Sequence, residues 1–243
     1  MSITAAAQSS NRYDRLVRRK SASTGSDSAP ENAARLQRQF EIIFSGNREA
    51  FQGARVLDLM SGSGFWSLAA LDAGASHVVA VEPSIGLIES AKKAFTEYAV
   101  DAGSYRFVNS DVTAALRSFE PRAFDLVLCH GYFEQTDPRQ FFSQLTRLQI
   151  KRAVLDTRIS VGKGPIVRLR PRSADEVKAK TTGRFSSVLS VPNHELITFF
   201  CDYFKFQGRL IIGKTSELSD WTGLSDYEQD HRRAYLLERS ATD

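Results

Sequence analysis

The segment Val56-Leu57-Asp58-Leu59-Met60-Ser61-Gly62-Ser63-Gly64 constrains this chain more than any other. An apolar run enters a turn whose glycines tolerate positive φ and let backbone N–H groups approach a ligand at the start of a helix. The next strand-like run, His77-Val78-Val79-Ala80-Val81-Glu82, ends on a carboxylate twenty positions after Gly62. Doubly wound folds place an acidic residue there to accept hydrogen bonds from a ribose diol. A nicotinamide site predicts a third glycine at position 67, where this chain has Ser67. It also disfavours a carboxylate such as Asp58 in the strand that would face a pyrophosphate, whereas a cationic ligand suits Asp58 better. Each feature has a plain alternative: a tight strand-to-helix turn for the glycines, and helix-end capping for Glu82 and Asp111.

The rest of the chain extends this rhythm. Strands are predicted at 55–59, 77–82, 105–108, 124–129 and 152–156, with helices over 65–73, from the Ser84 cap to about 98, from Asp111 to before Pro121, and over 138–148. Alternation of this kind implies right-handed crossovers and a parallel sheet. Ahead of it, Leu36, Phe40, Ile43 and Phe44 fall at helical spacing, which predicts an amphipathic helix from Pro30 to Gly46. After it, strand-like 166–170 and 185–191 flank a helical 174–180. A helix over 193–203 and strands over 209–212 and 234–238 complete the pattern. With 42% hydrophobic and 25% charged residues the chain can bury a full core, which excludes disordered and fibrous classes. No apolar run reaches the ~18 residues of a membrane span, and the opening MSITAAAQSSNRYDRL lacks the apolar centre of a signal peptide. Cys129 and Cys201 lie in apolar segments, as buried reduced thiols would, and the cytoplasm is the expected compartment. His77, His194 and His231 show no metal-ligand spacing, so no metal is expected.

The modest net charge of +4 conceals opposed regions. Residues 56–150 carry seven Lys/Arg against eleven Asp/Glu, and residues 151–214 carry thirteen against five. An acidic half therefore precedes a basic segment. Residues 1–30 have no lasting apolar period and read as a mobile basic arm before a domain spanning 31–243.

The ordered motifs VLDLMSGSG, VVAVEPS, VNSDV, FDLVLCHGYFEQTDP and AVLDTRI resemble those of the class I S-adenosylmethionine-dependent methyltransferases, over roughly residues 35–240. The resemblance implies an α/β fold: a doubly wound, seven-stranded, mostly parallel sheet whose last strand is antiparallel. It implies S-adenosyl-L-methionine as cofactor. Gly62 and Gly64, with the backbone near Asp58 and Met60, would hold its methionine portion. Glu82 would take the ribose hydroxyls, Pro83 would flank the adenine, and Asp111 would accept from the adenine amino group beside the Val112 amide. His130 and Gly131 would line the methyl-transfer site. Tyr13, in an arm segment resembling the start of many small-molecule members, would close over the cofactor. Met60 departs from the family, which usually has glycine there.

The stretch after the fourth strand, Cys129-His130-Gly131-Tyr132-Phe133, lacks the Asn/Asp-Pro-Pro-aromatic motif of enzymes that methylate planar amines. It resembles the His-containing version of small-molecule and some tRNA-wobble-modifying methyltransferases. His130 is the candidate base, because imidazole titrates near neutrality; packing on the cofactor is its plainer role. A substrate-side insert is expected over 160–192. In Ile166-Val167-Arg168-Leu169-Arg170-Pro171-Arg172 the three arginines alternate onto one face of a strand. They form either a cationic wall for an anionic acceptor or a solvated face that discourages edge pairing. Tyr132, Arg158, Arg168 and Arg170 are the candidate acceptor contacts. The favoured reading is transfer to O or N of a small anionic metabolite. An RNA or tRNA acceptor, supported by the basic arm and segment, and an inactive cofactor-binding scaffold are the alternatives.

Overall fold

The computed structural model describes residues 29–173 and 188–240. The arm with Tyr13 and the helical 174–180 lie outside the described residues. Helix α1 (Ala29–Gln39) passes into a π-helical turn, Phe40–Phe44, and a 3₁₀ turn, Ser45–Asn47, before the short α2 (Arg48–Phe51). The single amphipathic helix expected up to Gly46 is thus broken into turns of different pitch. This brings Phe44 against Phe51 and Trp66, with ring centroids 4.9 and 5.3 Å apart.

The alternation then runs β1 (Arg55–Leu59), α3 (Phe65–Asp72), β2 (His77–Glu82), α4 (Ile85–Glu97), β3 (Tyr105–Asn109), α5 (Val112–Ser118), β4 (Leu126–His130), α6 (Pro138–Arg147) and β5 (Arg152–Arg158). The caps follow the sequence. Ser84 accepts from the Leu87 amide, Asp111 from those of Thr113 and Ala114, and Asp137 from Gln140. Strands β6 (Val167–Pro171) and β7 (Val188–Pro192) form a separate antiparallel pair. The chain returns through α7 (His194–Phe204), β8 (Phe206–Ile212), α8 (Ser225–Glu228) and β9 (Arg232–Arg239).

The main sheet is seven-stranded in the order β3-β2-β1-β4-β5-β9-β8. Strand β9 is antiparallel to both its neighbours, while the β1, β2, β3, β4 and β5 pairings are parallel. Strand residues alternate between two buried apolar layers. Val56, Val78, Leu126 and Leu128 face one layer with Phe44, Phe51 and Trp66. Leu57, Leu59, Val79, Val81 and Val127 face the other with Phe133 and Phe141. Strands clad on both sides account for the near-continuous apolar runs. Cys129 and Cys201 are free and buried, and burial pushes the Cys201 thiol up to about 12.

Several boundaries differ from the sequence reading, β5 among them, which runs on to Arg158 rather than ending at 156. Strand β4 begins at Leu126 rather than at 124, because Asp125 is held outside it by the Arg55 amide and guanidinium, and it ends on His130. Strands β8 and β9 are longer than expected, since each borrows hydrogen bonds from its partner beyond its own apolar stretch. The polar loop before β9 contains α8, anchored by the buried Tyr227. The order of strands reverses between β1 and β4, so the carboxyl ends of these two strands bound the crevice in which doubly wound folds bind ligands.

Candidate functional site

The turn after β1 is built from left-handed backbone. Met60, Gly62 and Gly64 have φ of 60°, 57° and 74°. Position 60 therefore needs the conformation that glycine adopts freely, and methionine occupies it at a cost of about 1–2 kcal/mol. The two glycines serve different ends. A Cβ on Gly64 would stand 3.0 Å from Ala91 Cβ and 3.1 Å from a Phe95 ring carbon, so Gly64 lets α3 pack against α4. A Cβ on Gly62 would meet nothing within 4 Å, so Gly62 keeps the loop's outer side open.

Two carboxylates flank this turn. Asp58 is buried in β1 and accepts from Ser67 Oγ at 2.5 Å, across the first turn of α3. Burial raises its carboxyl to about 7; the Ser67 hydrogen bond opposes the rise and the nearby Glu82 adds to it. Ser67, the residue that breaks the dinucleotide glycine pattern, is thus the partner of the carboxylate that the same pattern excludes. Glu82 is 2% exposed and accepts from the Gly62 amide at 2.9 Å and from the Ser84 amide at 2.9 Å. It locks the glycine turn to the end of β2. Asn109 bonds the Glu82 and Pro83 carbonyls at 3.2 and 2.9 Å and aligns β3 beside them. Both amides on Asp111 fall on Oδ1, at 2.9 and 3.1 Å, and Val112 beside it is buried.

At the carboxyl end of β4, the His130 side chain is 25% exposed and its ring packs on Trp66, with centroids 4.8 Å apart. Its Nδ1 lies 3.7 Å from Asp156 Oδ2. Asp156 is fully buried and accepts from Arg232 Nε and the Tyr227 hydroxyl. Burial opposes its ionisation, but Arg232, His130 and the Tyr227 hydrogen bond outweigh that and hold it below the usual carboxylate range. Glu134, buried in the 3₁₀ turn Phe133–Gln135, lies 3.5 Å from Arg158 at the end of β5. Tyr132, expected against an acceptor, is packed under the loop among Thr113, Thr136 and Phe141. Burial raises its phenol, and hydrogen bonds with Thr136 and Thr113 oppose the rise.

In the β6–β7 hairpin, register pairs Arg168 with the buried Val191 and Arg170 with the buried Leu189, so the two arginines share one face; Arg170 is half-buried there and Arg168 remains exposed. Val167 and Leu169 occupy the opposite face, and Leu169 is 69% exposed. Arg172 donates to Gln135 Oε1 at 2.7 Å, and Gln135 in turn donates to the Gly131 carbonyl at 2.6 Å. The arginine strand is therefore tied to the loop that follows His130.

The sequence reading missed Asp156, Arg232, Tyr227, Trp66 and Glu134 around His130. Asp156 ends the quoted Leu155-Asp156 run, as Asp58 ends Leu57-Asp58, and that likeness was its available signal. Arg232 and Tyr227 carry none, since they reach the site through β9 and α8.

Residues 56–149 match a family model described as a methyltransferase domain. A sequence search of curated proteins finds no match. Among solved structures the chain is similar to the N-terminal domain of EvdMO1, crystallised in the presence of SAH and D-fucose; 16% of residues are identical over 84% of this chain and 83% of that one, with a TM-score of 0.62. An S-adenosylmethionine-dependent methyltransferase from Mesorhizobium loti shares 16% identity over 84% and 100% of the two chains, with a TM-score of 0.58. Magnesium protoporphyrin IX methyltransferase from Synechocystis with bound SAH shares 16% over 88% and 88%, with a TM-score of 0.56. These likenesses establish the fold as the Rossmann-like methyltransferase fold. The family match covers residues 56–149; two of these similar structures are methyltransferases, and two were crystallised with SAH. The turn would fit S-adenosylmethionine: its outer side is open at Gly62, and two buried carboxylates complement a cation. Among the described residues no helix is long and apolar enough to cross a membrane.

Proposed function

We propose that the chain transfers the methyl group of S-adenosylmethionine to an oxygen or nitrogen of a small anionic acceptor, held between the loop after β4 and the β6–β7 hairpin. The observation that carries this reading is the tie between the arginine strand and the loop after β4: Arg172 donates to Gln135, which donates to the Gly131 carbonyl, with Arg170 half-buried and Arg168 exposed on the same strand. A cationic strand joined to the Gly131 loop suits recognition of an anion. Arg168, Arg170 and Arg158 are the acceptor's cationic contacts, and Tyr132 supports the loop from beneath.

Bound cofactor supplies a methyl on a positively charged sulfur, an excellent leaving group, so the protein's work is orientation and exclusion of water. The backbone at Asp58, Met60, Gly62 and Gly64 holds the methionine portion. Glu82 has two amide bonds and further acceptor capacity for the ribose hydroxyls. Pro83, Asp111 and Val112 would bracket the adenine, Asp111 offering its second oxygen. His130 would take the proton given up by the acceptor's oxygen or nitrogen.

Incubation with methyl-labelled cofactor and a cell extract, with and without ribonuclease, tests the reading. Label is expected in the small-molecule fraction, unaffected by ribonuclease; ribonuclease-sensitive label would overturn it. With the acceptor in hand, joint replacement of Arg168 and Arg170 by alanine should raise its KM about tenfold or more and leave cofactor affinity unchanged.

A further inference from the structure

We propose that Asp156 is a positioning residue for His130, orienting the imidazole so that Nδ1–H faces the carboxylate and Nε2 is presented to the acceptor. This rests on reading His130 as the proton acceptor, and it adds the group that gives that side chain a defined tautomer.

The parallel register of β4 and β5 sets His130 directly beside Asp156. The Gly131 amide donates to the Asp156 carbonyl at 2.9 Å, which fixes the backbone of one strand end against the other. The ring has Trp66 on one side and Asp156 Oδ2 at 3.7 Å from Nδ1. That separation is an ion-pair distance, and catalytic hydrogen bonds in ligand-free sites are often long.

Asp156 is itself anchored. Arg232 Nε donates to Oδ1, and the Tyr227 hydroxyl donates to Oδ2. Gln39 Nε2 donates to the Tyr227 hydroxyl at 2.8 Å, so the phenol's own proton remains committed to Asp156. A carboxylate has about four acceptor sites, and these two donors leave capacity on Oδ2 for a third. Balancing Arg232 would need only a buried carboxylate; the seat beside His130 Nδ1 goes beyond that. Among the described residues, the charged and titratable groups around the His130–Asp156 pair include Arg232 from β9, Tyr227 from α8, Arg35 from α1 and Glu134 from the turn after β4. Of these Glu134 is the carboxylate, and it pairs with Arg158.

The test needs no acceptor. The chain has four histidines, so nitrogen-15 NMR of ring nitrogens in histidine-labelled full-length protein resolves each titration, and His130→Ala assigns the relevant signals. In the wild type the neutral ring should carry its proton on Nδ1. Asp156→Asn should lower the His130 titration midpoint by about one pH unit and release the tautomer preference. Tyr227→Phe keeps the carboxylate but removes a competing donor from Oδ2, so the midpoint should rise. Shifts of opposite sign are not what general loosening of the fold produces. A proton on Nε2 in the neutral wild type, or a midpoint that Tyr227→Phe leaves unmoved or lowers, overturns the proposal; should Asp156→Asn fail to fold, Tyr227→Phe decides it alone. The base reading fails separately, if His130→Ala keeps full methyl transfer while the NMR pattern stands.

Discussion

Asp58→Asn should abolish a pH dependence of stability that the wild-type chain carries near neutrality. Asp58 is buried in β1, with Ser67 Oγ 2.5 Å away and Glu82 adding to its reluctance to ionise, so its carboxyl titrates at about 7 against 3.8 when unfolded. Between those values the folded chain binds a proton that the unfolded chain has released, so stability falls as pH rises through this window and levels off above about 7. Three pH units correspond to an upper limit of about 4 kcal/mol, of which relaxation and water entry leave about 1–3. Asparagine preserves the shape and can still bond Ser67, but it has nothing to titrate. Urea unfolding of ligand-free protein at pH 5 and pH 8 reads the difference. The wild type should lose about 1–3 kcal/mol more than the variant between these two pH values. Asp125, held at about 2 by Arg55, and Asp156, also lowered, change their contributions only below this range and cancel between the two proteins. At pH 8 the variant should be the more stable protein yet bind S-adenosylmethionine less tightly, because the carboxylate that costs the empty site stability complements the sulfonium when it is filled. Parallel stability curves for the two proteins would refute the reasoning.

The two glycines of the turn should separate packing from binding. Gly64→Ala, with φ 74° and contacts of 3.0–3.1 Å, should lower stability by about 2–3 kcal/mol in thermal or urea unfolding. Gly62→Ala, strained at φ 57° but in open space, should lower stability by only about 1 kcal/mol and act chiefly on cofactor affinity measured by calorimetry. Glu82→Gln puts an NH₂ where one of two backbone amides now finds an acceptor, so cofactor affinity should fall about tenfold or more. Unchanged affinity would remove the ribose assignment.

Where a residue's role depends on neighbours close in the chain, the sequence was a sufficient guide. Glycines at 62 and 64, the caps at Ser84, Asp111 and Asp137, and the two-sided strands are local consequences of φ, capping and burial, and all stand in the structure as read. Glu82 was legible because one crossover of standard length returns it to the glycine turn. The environment of His130 was not, because its partners are brought together by register and sheet order. Asp156 enters through β5, and Tyr227 and Arg232 lie 71 and 76 positions beyond Asp156. No periodicity within a window records such distances.

The hairpin shows the same limit from the other side. Alternation placed Arg168, Arg170 and Arg172 on one face, but which face meets the domain is set by Leu189 and Val191 on the partner strand. A strand's own pattern defines two faces without ranking them, and polarity would ordinarily assign the arginines to solvent. The outcome is divided: Arg168 stays exposed, as polarity alone would have it, while Arg170, opposite the buried Leu189, is half-buried. Arg172, also half-buried, reaches the loop after His130 through Gln135, a link across 37 positions that alternation within one strand does not encode.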